Sequence, residues 1–144
     1  MKKEWALLLL ALSVVSACAY PAMLYASVNT SGMAGGGLRW EVNEEVCVNG
    51  TLGVMTQENV GRTYLYANAL FLEKRLGPAL SLIIPNAEHA ENTLKLSAVF
   101  AAEKKLNDRI SVGILPALFS IVHQDDTYFE LLADWSVYIL VDVP

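Results

Sequence analysis

The feature that most constrains this chain is a two-residue rhythm of apolar side chains that keeps reversing direction. Three stretches share one pattern: Val42-Asn43-Glu44-Glu45-Val46-Cys47-Val48, Leu76-Gly77-Pro78-Ala79-Leu80-Ser81-Leu82 and Leu106-Asn107-Asp108-Arg109-Ile110-Ser111-Val112. In each, an apolar residue closes one strand, turn formers follow, and apolar/small alternation opens the next strand. The copies begin at residues 42, 76 and 106, so a reversal recurs every thirty-odd positions. A chain that doubles back this regularly makes a β-meander, whose outer edges must be closed or covered.

Between the reversals the alternation is plain. Leu38, Trp40 and Val42 point away from Arg39 and Glu41, and Val46, Val48, Leu52 and Val54 point away from Cys47, Asn49, Thr51 and Met55. Asn49-Gly50 also fits a two-residue hairpin turn, which would move the first reversal by several residues. Leu80, Leu82 and Ile84 alternate with Ala79, Ser81 and Ile83. Leu94, Leu96, Ala98 and Phe100 face away from Thr93, Lys95, Ser97, Val99 and Ala101, and Ile110, Val112, Ile114 and Leu118 face away from Ser111, Gly113, Ala117 and Phe119. From Phe129 to Val141 an unbroken apolar row stands opposite Tyr128, Glu130, Leu132, Asp134, Ser136, Tyr138 and Leu140. A helix would smear such a row around its axis. Met23 to Val28 reads as a first strand, followed by a loop from Asn29 through Gly35-Gly36-Gly37. The expected fold is therefore all-β, an up-and-down antiparallel meander closed into a small barrel of about eight strands. Three short turns lie at one end, four loops and no terminus at the other.

Residues 1–19 read as a signal peptide. Lys2 and Lys3 supply a positive start, Ala6 to Val15 an apolar stretch too short to span a bilayer, and Ala17-Cys18-Ala19 a small-x-small cleavage site. A second reading of the same region is a lipoprotein signal, Val15-Ser16-Ala17-Cys18, in which Cys18 becomes the acylated first residue. The barrel domain is then 20–144, with no polar linker or repeat tract dividing it. Removing residues 1–19 leaves eight basic and fourteen acidic side chains, a net charge of −6 that excludes a nucleic-acid surface. Cys47 is left as the single thiol, so no disulfide framework is expected despite an oxidising destination.

Alternation does not by itself say which face is outward. The composition of the second row does: Leu65, Ala67, Ala69, Phe71, Val99, Ala101, Leu115, Ala117, Phe119, Leu132 and Leu140 are too apolar for a solvated exterior and suit a packed, partly polar interior. The first row then faces lipid, and the charges gather at the turns: Glu41, Glu44, Glu45, Glu73, Lys74, Arg75, Glu103, Lys104, Lys105, Asp108 and Arg109. Within strands, Lys95, Glu130 and Asp134 occupy the inward face. Lys95 and Glu130 sit at matching heights, so the expectation is a Lys95–Glu130 pair that plugs the lumen, with Arg39 joining Asp134.

With turns such as Glu103-Lys104-Lys105-Leu106-Asn107-Asp108-Arg109-Ile110-Ser111 between alternating strands, the chain resembles the small eight-stranded outer-membrane β-barrel family. That resemblance implies a Gram-negative-type outer membrane, membrane lipids as partners, a monomer and no cofactor. Two features depart from the family pattern. The residues given end Leu140-Val141-Asp142-Val143-Pro144 without a terminal aromatic, and Pro116 lies inside a strand, where it predicts a bulge.

Catalytic and metal chemistry find little support in the sequence. His89 and His123 fall in loops at one end with Glu88, Glu91, Asp125 and Asp126, yet their spacing selects no metal, so none is expected. Ser120, His123 and Asp125 can be written as a lipid-modifying hydrolase, but no nucleophile elbow or oxyanion-hole sequence accompanies them. Gly35-Gly36-Gly37 lacks the spacing of a phosphate loop. The leading expectation is a non-enzymatic barrel with a structural or surface role in the envelope. Its alternatives are an exported soluble or lipid-anchored barrel that binds an apolar ligand, and a membrane enzyme.

Overall fold

A computed structural model describes residues 22–57 and 60–143 of the chain. The leader segment 1–19, including Cys18, lies outside the described residues. Ten strands follow one another: β1 (Ala22–Asn29), β2 (Ala34–Glu41), β3 (Cys47–Gln57), β4 (Val60–Leu70), β5 (Leu76–Pro85), β6 (Thr93–Phe100), β7 (Ala102–Lys105), β8 (Ile110–His123), β9 (Thr127–Leu131) and β10 (Trp135–Asp142). Consecutive strands pair antiparallel except β6 with β7 and β9 with β10, and β10 pairs with both β8 and β1, which closes the sheet. β6 and β7 are two lengths of one wall, both paired with β8; β9 and β10 are likewise two lengths of another. The result is an eight-strand antiparallel barrel with two extra short strands, and no helix occurs among the described residues.

Closure demands tilt. Stepping from partner to partner around the wall, Tyr25 leads through Gly37, Thr51, Tyr66, Ser81, Lys95 and Val122 to Tyr128. Tyr25 itself pairs with Leu140, twelve positions further along that last wall. This stagger is the shear that inclined strands need in order to meet.

The short turns show why the sequence reverses where it does. Asn43 Oδ1 accepts from the backbone N–H groups of Glu45 and Val46, both at 2.8 Å, and Asn107 Oδ1 accepts from those of Arg109 and Ile110, both at 2.9 Å. The two asparagines thus build the same turn twice, replacing backbone partners with their own carbonyls. The middle reversal lies upstream of its expected place. Leu72, Glu73 and Lys74 make a left-handed turn with φ of 53°, 60° and 62°, and Gly77-Pro78 belongs to β5. A Cβ on Gly77 would lie 1.7 Å from the Ala69 carbonyl oxygen, so glycine serves close strand approach there rather than a turn.

Side chains sort by parity along most walls. Leu24, Val28, Leu52, Val54, Leu80, Leu96, Val137 and Ile139 are exposed on the outside, whereas Tyr25, Arg39, Asn49, Ser81, Ser97, Tyr138 and Leu140 are buried within. Tyrosines fold over inward-facing glycines on the neighbouring strand. Tyr64 covers Gly53 and Tyr138 covers Gly113, where added Cβ atoms would fall 2.1 and 2.3 Å from the rings.

Several expectations are corrected. Gly35-Gly36-Gly37 lies in β2, not in a loop, and Asn49-Gly50 is mid-strand in β3. On β4, Leu65 and Ala67 face outward and Phe71 is exposed, while Tyr64, Asn68 and Leu70 are buried inside. The inward asparagine finds partners in the lumen that it could not find in an apolar surround. Phe119 is outside as well, because the β6–β8 register slips past Leu118 and inverts parity beyond it. This bulge sits two residues beyond Pro116. The last wall is not continuous, since it breaks between β9 and β10 at residues 132–134. Leu132, at φ 52°, is exposed there instead of facing in.

Candidate functional site

Among the described residues, the barrel interior holds the side chains whose burial demands specific partners, and they form two polar layers. Nearer the loops, Lys95 on β6 reaches over β8. Its ammonium donates to Glu130 Oε2 of β9 at 2.6 Å and to Asp134 Oδ2 in the break before β10. Ser31 Oγ, in the loop between β1 and β2, donates to the other Asp134 oxygen at 2.6 Å. The break at residues 132–134 therefore has a use: it turns Asp134 toward Lys95 and Ser31. Lys95 is 11% exposed, with Glu130 and Asp134 at 27% and 19%, so each charge depends on the others for solvation.

Nearer the short turns, Arg39 on β2 is the hub. Its Nε donates to Asn49 Oδ1 and its Nη1 to Glu103 Oε2, each at 2.7 Å. Asn49 Nδ2 donates to Asn68 Oδ1 at 2.6 Å, and Asn68 Nδ2 donates to the Tyr66 hydroxyl at 3.0 Å. Tyr138 completes the layer, donating its hydroxyl proton to Glu103 at 2.9 Å and placing its ring under the guanidinium, 5.5 Å from Cζ. Tyr25 stacks on Tyr138 at 5.1 Å. Arg39 is 1% exposed, so a guanidinium with three neighbours on three other walls seals this level.

Between the layers, Ser97 and Ser120 share a hydrogen bond of 2.8 Å beside a cavity of about 40 Å³. Tyr25, Tyr64, Tyr66, Ser81, Val99 and Leu115 are among the residues that line it. That is room for a few waters and not for a ligand.

Of the four charges singled out in the sequence, Lys95, Glu130 and Asp134 meet in one cluster. Arg39 does not join Asp134; it pairs with Glu103 in the other layer. Glu103 reads as a turn charge in the sequence, although odd residues from Thr93 to Ala101 all face inward and the same parity extended two residues further identifies it. Asn49, Asn68 and Tyr138 also sit on inward parity, and polarity on that face is the signal that marks them.

The loop residues behave differently. Ser120 is buried and bonded to Ser97, whereas His123 Nδ1 is 2.9 Å from Thr127 Oγ1 at the exposed strand end, so Ser120, His123 and Asp125 share no proton path. His89, Glu91 and Asp125 line an open cleft with Arg62. There a hydrogen bond to Asp125, reinforced by its negative charge, raises the Glu91 carboxyl above the usual range. Among the described residues no group of three or more His, Cys, Asp or Glu side chains is arranged to hold a metal ion. Cys47 is fully buried and carries a free thiol.

The chain matches no protein-family model and no curated protein.

Proposed function

We propose that this protein is a non-enzymatic barrel of the outer membrane of a Gram-negative-type envelope, monomeric, closed to conduction and structural in role. One observation carries the reading: the barrel is inverted relative to a water-soluble one. Leu24, Leu52, Leu80, Leu96 and Val137 stand on the outside at 47–59% exposure, while Arg39 and Lys95 are enclosed.

 In water such a wall would be an aggregation surface, whereas in acyl chains it is the favourable one.

The two polar layers favour a closed lumen over a conducting one, because interior side chains of so narrow a barrel fill it and here they are also cross-linked by charge. The same packing argues against a soluble barrel that carries an apolar ligand, since the interior cavity is only about 40 Å³. Short connections at 30–33 and 124–126 favour a structural role over an adhesive one. Detergent dependence tests the reading. A folded protein that stays monodisperse only in detergent and migrates differently when heated is the expected result; a monodisperse, folded protein in plain buffer overturns it.

A further inference from the structure

On the loop side of the Lys95 cluster the lumen opens into a mouth of about 330 Å³, which the proposed structural role leaves unused. Arg62, Lys95, Gln124, Tyr128, Glu130 and Asp134 are among the residues that line it. Arg62 enters from β4, where it pairs with Met55 on one side and Pro85 on the other. Its Nε is buried without a hydrogen-bond partner. Among the described residues the ion pairs are made by Arg39, Lys74, Arg75, Lys95 and Lys105, so Arg62 has no carboxylate in contact, although Glu91 and Asp125 share a cleft with it.

The far side of the mouth carries the opposite charge. Around the eight walls, β4 lies four steps from the wall of β9 and β10 in either direction, so Arg62 stands across the lumen from Glu130 and Asp134. Those two carboxylates share one ammonium, that of Lys95, which leaves one negative charge in excess. Each side thus holds a charge whose counterpart is on the opposite wall, and the two do not meet. A molecule anionic at one end and cationic at the other, a few bonds apart, would satisfy both at once. The guanidinium fork fits two oxygens of an anionic group, and the carboxylates accept N–H groups from a primary ammonium.

The wall beside this mouth is interrupted as well. β9 pairs with β8 alone, and the bond from the Thr30 N–H to the Trp135 carbonyl is the last backbone rung between the β1–β2 connection and the final wall. Beyond it the other edge of β9 has no strand partner among the described residues. On the outer face there, Phe129 and Leu131 are 67% and 75% exposed. A polar mouth next to an unpaired edge and an apolar outer face suits the headgroup of an amphiphile.

We propose that the mouth binds a zwitterion of the phosphoethanolamine class, with its phosphate on Arg62 and its ammonium between Glu130 and Asp134. A lipid carries this group past the β9 edge with its chains left outside against Phe129 and Leu131; free phosphoethanolamine presents the same two charges from the loop end. The charge pattern does not depend on the outer-membrane reading, and only the lipid source rests on it.

The test uses the full-length protein in detergent micelles and follows the Arg62 Nε–H signal by NMR, identified by its loss in Arg62→Lys. Phosphoethanolamine is expected to shift and saturate the signal, whereas inorganic phosphate and ethanolamine, each with one of the two charges, bind roughly tenfold more weakly. Calorimetry with phosphoethanolamine is expected to show a loss of about tenfold or more in Arg62→Gln and in Glu130→Gln. No shift, equal affinity for inorganic phosphate, or full affinity in either variant overturns the proposal. The ligand comparison needs no variant, so it decides even where Arg62→Gln does not fold. Micelles doped with phosphatidylethanolamine or with phosphatidylcholine, whose quaternary nitrogen has no N–H to donate, identify the source. A shift with phosphatidylethanolamine alone marks the lipid form and a shift with only free phosphoethanolamine marks the soluble form, each in support of the site, whereas equal shifts with both lipids overturn the ammonium contact. A protein monodisperse without detergent that still binds phosphoethanolamine sinks the membrane reading alone, and a detergent-dependent one that shows no shift sinks this site alone.

Discussion

Arg39 on β2 and Glu103 on β7 stand 64 residues apart in the chain and 2.7 Å apart inside the barrel. With Asn49 on β3 and Tyr138 on β10 as its other neighbours, the guanidinium ties the laddered pair β2 and β3 to β7 and β10, which share no backbone ladder with them. Closing the sheet creates this pair, and the pair in turn holds the closed sheet at one radius.

Removing one partner leaves the other charge enclosed without compensation. Glu103→Ala is expected to destabilise the barrel by about 3 kcal/mol, the lower end for a buried pair because Glu103 is 33% exposed. Replacing both residues, Arg39→Met with Glu103→Leu, is expected to cost far less. Urea unfolding in detergent micelles measures both, and equal losses in the single and double variants would remove the pairing argument.

The loop-side cluster gives a conductance prediction. Lys95→Ala breaks the contacts to Glu130 and Asp134 but leaves Arg39, Asn49 and Glu103 in place, so planar bilayers are expected to show no new current steps. Regular single-channel steps in that variant would mean that the lower layer does not seal the lumen.

The outer wall can be probed with a charge. Leu80 is 47% exposed near the middle of β5, and Leu80→Arg is expected to cost about 2–4 kcal/mol if the wall lies in hydrocarbon. In water the same change would be close to neutral. Folding into lipid vesicles, compared with the unchanged protein, reads the difference directly.

Gly53 and Gly36 make a matched pair of backbone tests. A Cβ at Gly53 would meet the Tyr64 ring at 2.1 Å, whereas at Gly36 its nearest neighbour is 3.8 Å away. Gly53→Ala is expected to destabilise by roughly 1–3 kcal/mol and Gly36→Ala to have little effect. Comparable thermal unfolding of the two variants would show that the tyrosine does not need the glycine beneath it.

At the loop end, Glu91 shares a hydrogen bond with Asp125, and the second carboxylate raises its affinity for a proton. A carboxyl raised in the folded state favours that state below its titration and loses the benefit as pH rises through it. The contact between the two loops is therefore expected to loosen on going from acid toward neutral pH. Side-chain NMR should place the Glu91 midpoint above that of an ordinary glutamate, and Asp125→Asn should lower it. An unchanged midpoint in that variant would assign the shift to another cause.

Much of the fold was legible because β-structure writes its faces into adjacent residues. Leu80, Leu82 and Ile84 against Ala79, Ser81 and Ile83 needed only a period of two, and Asn43 and Asn107 carried their turns in their own side chains. Parity failed where the strand was not regular. One bulged residue, Leu118, sent Phe119 outward, and the break at 132–134 exposed Leu132 while bringing Asp134 in. On β4, where both faces are apolar, a single polar residue decided the matter: Asn68 had to meet Asn49. Hydropathy gave the two rows nearly equal weight, and the need for a hydrogen-bond partner broke the tie.

The amino-acid order alone determined that this chain alternates, where two of its three short turns form, and that charges such as Lys95 and Glu130 fall on the less apolar face. Only the tertiary structure decided which charges meet, setting Arg39 against Glu103 and not Asp134. The reason is that facing is a local property of neighbouring residues. Contact inside the barrel instead depends on the stagger accumulated over every strand pairing, and each bulge along the way changes that sum.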